Sequence, residues 1–162
     1  MSFKPMLAAV ALLSTASSLA FADPHIMIHD AYALSAGKHA KAGAAFMTIM
    51  NHGDEEDRLL SVSSDAAKRV ELHTHQDQGN GVMRMMEVEE GFVIPANGSH
   101  ALARGADHVM FMGLNAPWEQ GDALNVIFTF EKAGEKQVVI PVDLTRKDGE
   151  AGGEHSEHKH DH

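Results

Sequence analysis

Apolar side chains in this chain recur at every second position in short runs. Each run is closed by Gly, Pro, Asn or Asp, and no stretch of the body holds a long helical period. A period of two places one face of a strand on a core and the other on solvent. Residues 25–32 (HIMIHDAY), 44–50 (AAFMTIM), 59–62, 70–75 (VELHTH) and 82–88 (VMRMMEV) read as strands. So do 92–94, 108–114 (HVMFMGL), 123–130 (ALNVIFTF) and 137–144 (QVVIPVDL). Asn80-Gly81 is a hairpin signal, Ala96-Asn97-Gly98 a turn, and residues 63–68 a connector with room for one helical turn. Eight or nine short strands predict an all-β sandwich or barrel.

The two ends have a different character. Lys4, an apolar stretch from Met6 to Phe21 and an Ala20-Phe21-Ala22 cleavage signal predict a secretory signal peptide over residues 1–22, cut after Ala22. Residues 23–146 form the expected domain. From Lys147 to His162 the chain holds no apolar residue larger than Ala, which predicts a flexible, disordered C-terminal tail. No second hydrophobic run of spanning length follows the signal, so no membrane insertion of the mature protein is expected. The predicted location is the periplasm.

Composition narrows the chemistry. A formal net charge of −10 argues against nucleic acid as a partner. The absence of Cys removes disulfides, thiolate metal sites and cysteine nucleophiles. Against that blank stand 12 His and 10 Met, the remaining side chains that bind soft or borderline metals. No G-x-S-x-G elbow, H-E-x-x-H helix or phosphate loop is present, and an enzyme is not expected.

The informative stretch runs from His73 to Met112. On HVMFMGL, His108, Met110 and Met112 share one face, and Val109 and Phe111 the other. His73 and His75 share a face of VELHTH. Met83 and Met85 share a face of VMRMMEV, with Met86 opposite. A thioether is soft and uncharged and prefers Cu(I) to Zn(II), Ca(II) or Mg(II), while imidazole suits copper in either oxidation state. The bland reading makes these methionines core filler. His-x-Met, His-x-His and Met-x-Met on neighbouring strands favour a shared metal.

The run VELHTH, then GVMRMMEVEEGFVIPANGSH, then HVMFMGL resembles the PCuAC-type periplasmic copper chaperones. Their pattern is His, ten residues, Met, twenty-one or twenty-two residues, His-x-Met, and the likeness extends over residues 25–144. The resemblance implies a cupredoxin-like Greek-key β-sandwich that binds Cu(I) and delivers it to a copper-accepting protein. Cytochrome c oxidase subunit II, or another factor in assembly of that oxidase's copper centre, is the implied recipient. Strict counting selects His75, Met86, His108 and Met110, and a tight turn at Asn80-Gly81 would set His75 across from Met86. The flanking words select His73, Met85, His108 and Met110, with one residue inserted in 76–81. The second set is preferred, because its neighbours match the family.

The tail carries His155, His158, His160 and His162 among Glu154, Glu157 and Asp161. Imidazole and carboxylate without thioether suit Cu(II), so the tail is a second candidate metal site. It supports an alternative function, copper sequestration for tolerance. A further alternative is an exported β-sandwich interaction module that binds no metal.

Overall fold

The computed structural model describes residues 25–147. The expected signal peptide and the tail histidines His155, His158, His160 and His162 lie outside the described residues. Ten strands are present, and no helix occurs among the described residues. In chain order they are β1 (Ile26–Ser35), β2 (Ala42–Asn51), β3 (Asp57–Ser63), β4 (Ala67–Asp77), β5 (Met83–Glu87), β6 (Phe92–Ile94), β7 (Gly98–Leu102), β8 (His108–Leu114), β9 (Ala123–Phe130) and β10 (Gly134–Pro141). All the strand pairings are antiparallel. The larger sheet runs β1-β2-β8-β4-β5, with β7 also on β2; the smaller runs β10-β9-β3-β6. The expected all-β sandwich is the fold observed.

Period-two burial builds the core between the sheets. On β9, Leu124, Val126, Phe128 and Phe130 are buried while the residues between them face outward. On β8, Val109 and Phe111 are fully buried, opposite the face that carries His108, Met110 and Met112. Trp118 packs edge-on against Phe111, with ring centroids 5.2 Å apart. Its ring lies so close to Gly43 that an added Cβ would come within 2.3 Å of it, so only glycine admits the indole there. Two buried polar groups are satisfied at the strand ends. Asp57 accepts from the backbone N–H groups of Arg58, Lys132 and Ala133, and Asn51 donates to the carbonyl of Glu55.

Two local features depart from the sequence reading, and a third separates its two hairpin registers. Residues 63–68 contain no helical turn, and Ala67 and Lys68 already belong to β4. Gly98–Leu102 forms a strand of its own, β7. The β4–β5 connection is wider than the tight turn that strict counting needs at Asn80-Gly81 and accommodates the extra residue of the preferred set: Gly79, Asn80 and Gly81 all have positive φ (89°, 55° and 75°). Gln78 and Val82 close it through a backbone hydrogen bond of 2.8 Å.

β2 changes partners along its length. Ala42 to Ala45 pair with β8, whereas Met47 to Asn51 pair with β7. Phe46 sits at the fork between them, and residues 103–107, which link β7 to β8, leave the sheet beside it. This fork opens a recess on the outer face of the larger sheet.

Candidate metal centre

The recess is a cavity of about 280 Å³, lined among others by Phe46, His75, Met85, Arg104, His108 and Met110. Three strands deliver the donors. β8 carries His108 and Met110 on its outward face. β4 lies beside it in a register that pairs His73 with His108 and Glu71 with Met110. β5 lies beyond, pairing Met85 with His75 and Met86 with Thr74. The odd-length loop sets this register, so His75 faces Met85 and not the Met86 that a tight turn would have supplied. Met86 consequently projects from the opposite face of the hairpin.

Of the preferred expected donors, Met85, His108 and Met110 line one cavity. His73 does not line it but lies directly beside His108, with ring centroids 5.9 Å apart. His75, the other candidate from β4, lines the cavity with its ring 5.1 Å from that of His108. A ring nitrogen binds a borderline metal at about 2.0–2.1 Å, so two imidazoles sharing one ion have centroids roughly 5–6 Å apart. Both β4 rings meet that distance. Met112 is engaged elsewhere, its sulfur 3.7 Å from the Arg69 guanidinium.

The three rings are oriented by hydrogen bonds that fix which nitrogen is available. Nδ1 of His108 and Nδ1 of His75 both donate to the carbonyl of Ala106, at 2.9 and 3.2 Å. A carbonyl only accepts, so each Nδ1 carries a proton, and in the neutral ring Nε2 keeps its lone pair. Nε2 of His73 donates to Glu71 at 2.9 Å, and its Nδ1 is buried without a hydrogen-bond partner. A carboxylate on one ring nitrogen with a bare lone pair on the other is the arrangement that makes histidine a strong metal ligand. Glu71 is itself held by Arg69 at 2.8 Å. The turn carrying Ala106 is anchored by Asp107, which accepts from His100 at 2.8 Å, while His100 stacks on Phe92.

The surroundings of His108 favour its neutral ring. Burial pushes the His108 pKa below its ordinary 6.5, and the neighbouring imidazoles of His75 and His73 add to that. The Ala106 carbonyl and Asp107 oppose it. No carboxylate lines the cavity, and Arg104 is its one charged lining residue. Among the described residues, no three His, Asp or Glu side chains gather closely enough to hold an ion by themselves. The sulfur-bearing side chains of Met85 and Met110 line the same recess.

Glu71 and Ala106 were not foreseen as part of the site. Glu71 could have been found, since it lies two residues before His73 and shares its face. The Ala106 carbonyl leaves no mark in the sequence.

The two-sheet, all-β sandwich is similar to solved PCuAC domains. The copper-bound PCuAC domain from PmoF2 superposes with a TM-score of 0.61, at 22% identity, over 74% of this chain and 93% of that one. The Cu(I) form of DR1885 from Deinococcus radiodurans also gives a TM-score of 0.61, at 27% identity, over 79% of this chain and 84% of that one. The chain belongs to the LpqE-like family, described as "Putative lipoprotein LpqE-like", whose model matches residues 26–142. A relative from Leifsonia xyli subsp. xyli, also named a lipoprotein, is 33% identical over 117 residues, covering 72% of this chain and 69% of its own length. An uncharacterised protein of Rickettsia prowazekii is 29% identical over 100 residues, covering 61% of this chain and 54% of its own.

Proposed function

We propose that this protein is an exported copper chaperone that holds one Cu(I) on the outer face of its larger sheet and passes it to a copper-accepting protein. The donors are His73 through Nδ1, His108 through Nε2, and the sulfurs of Met85 and Met110. One observation carries the reading: the thioethers of Met85 and Met110 and the imidazoles of His75 and His108 line a recess that offers no carboxylate, with the His73 ring directly beside His108. Neutral donors beside a guanidinium do nothing to offset a second positive charge. Soft sulfur selects the cuprous ion over Zn(II) or Mg(II). The solved PCuAC structures with copper bound support the same cargo.

The action is ligand exchange, with no bond made or broken in a substrate. Export to the periplasm is supported by the signal-like residues 1–22 and by the lipoprotein naming of the family. Delivery toward the copper centre of cytochrome c oxidase is the recipient pathway we favour. His108→Ala and Met110→Ala are each expected to abolish tight Cu(I) binding while the circular dichroism of the sandwich is retained. Competition against a Cu(I) chelator measures this; wild-type affinity in both variants would refute the assignment.

A further inference from the structure

We propose that the β4–β5 hairpin carries a second, outer copper station, built from His75 and Met83, through which Cu(I) enters and leaves the inner site. The proposal rests on the inner-site reading above and extends it.

The argument starts from register. The hairpin pairs His75 with Met85 and Asp77 with Met83. His73 and Met85 are therefore diagonal neighbours across the two strands. The same diagonal recurs one pleat outward, between His75 and Met83. Side chains two residues apart share a face, so His73, His75, Met83 and Met85 all project from one side of the hairpin. The step between the two pairs is about 6.5–7 Å along the strands. Diagonal neighbours in an antiparallel pair stand within reach of long side chains.

Burial rules out packing as the purpose of these methionines. Met83 is 54% exposed and Met85 is 47% exposed, on an edge strand with no buried residue. A core filler is inside; thioethers left in solvent contribute little to stability. His75 is also prepared: Nδ1 is held by the Ala106 carbonyl, leaving Nε2 for a metal, and the ring lies 5.1 Å from His108. His75 thus adjoins the inner donors, and Met83 adjoins solvent.

The transfer is a stepwise exchange. An incoming ion first binds the sulfur of Met83 and Nε2 of His75. Bonds to Met85 and His108 form next. The bonds to Met83 and His75 then break as His73 and Met110 complete the inner set. Copper remains Cu(I) throughout, and each arriving donor supplies a lone pair that the departing donor takes back. Release follows the same path in reverse.

The test uses the full chain loaded with one equivalent of Cu(I), with transfer to bathocuproine disulfonate followed by stopped flow. Met83→Leu, at a half-exposed position outside the cavity lining, should leave equilibrium affinity within about twofold of wild type while transfer slows about tenfold, because a pre-positioned receiving donor is lost. His75→Gln should slow transfer in the same direction and gives a second variant at the other residue of the station. Transfer at the wild-type rate in the variants would overturn the proposal. So would a collapse of affinity by more than about a hundredfold in His75→Gln, which would put His75 in the inner site. If the wild-type chain takes up no Cu(I), the inner-site reading fails and the outer station fails with it. That result is distinct from normal loading with unchanged transfer.

Discussion

β8 and β5 both bring methionine to the same sheet, yet they have opposite surroundings. β8 lies between β2 and β4, and its alternate residues Val109 and Phe111 are fully buried. β5 is the edge strand, and all five of its residues are exposed. In β8 a single period-two pattern serves two ends, with the inward face building the core and the outward face presenting His108 and Met110. In β5 nothing is bound to the core, so Met85 presents sulfur without contributing a packed face. The candidate site therefore joins a strand paired on both sides, with a buried inner face, to an exposed edge strand. That combination suits a protein that must bind its cargo and also release it.

The sharpest way to break this contrast is to strike the two strands separately. Phe111→Ala, which empties a fully buried position against Trp118, should cost about 3–5 kcal/mol in urea unfolding. Met85→Leu and Met86→Leu should each change stability by less than about 0.5 kcal/mol, as expected for substitutions outside the core. A destabilisation from Met85→Leu as large as that from Phe111→Ala would erase the distinction between the strands.

The next effect lies in binding and separates the two faces of β5. Met85→Leu removes a cavity sulfur and should weaken Cu(I) binding by about a hundredfold or more, whereas Met86→Leu on the opposite face should leave it unchanged. The reverse result would mean that the hairpin register differs in the copper-loaded protein. A smaller loss, about tenfold, is expected for Glu71→Gln, which weakens the carboxylate support of His73 without removing a ligand. Unchanged affinity in Glu71→Gln would argue that His75, and not His73, completes the inner set.

These features differ in how far they could be read in advance. HVMFMGL and ALNVIFTF were legible because strict alternation fixes both the strand and its buried face, and β8 and β9 run over those same residues. The Met85–His108–Met110 grouping followed from strand faces together with the family likeness. β7 was hidden because Gly98 belongs to a turn signal as well as to a short strand. The switch of β2 from β8 to β7 is a matter of tertiary pairing that no local pattern records. The hairpin allows two registers in the sequence: Asn80-Gly81 alone favours a two-residue turn that sets His75 across from Met86, whereas the preferred donor set calls for one more loop residue, and Gly79 accepts the positive φ this needs. Three such residues in succession allow a wider loop, which moves each β5 partner by one position.

The smallest expected effect concerns protons and tests whether β8 holds its imidazole ready. In the metal-free protein the buried His108 ring should titrate below 6.5, chiefly because burial disfavours the imidazolium and secondarily because His75 and His73 stand beside it. Its neutral form then persists at pH values where an exposed histidine is half protonated, and Nε2 stays available to a metal. The sign for stability follows. The unfolded chain takes up this proton at a higher pH than the folded one. The contribution of His108 is therefore fully present above 6.5 and is lost as pH falls from there through the folded value. A titration of the His108 ring followed by NMR measures the midpoint, and His75→Gln should raise it slightly by removing one of the two neighbouring rings. A midpoint at or above 6.5 in the wild-type protein would mean that the Ala106 carbonyl and Asp107 outweigh burial, and that protons compete for this donor as they would on an open surface.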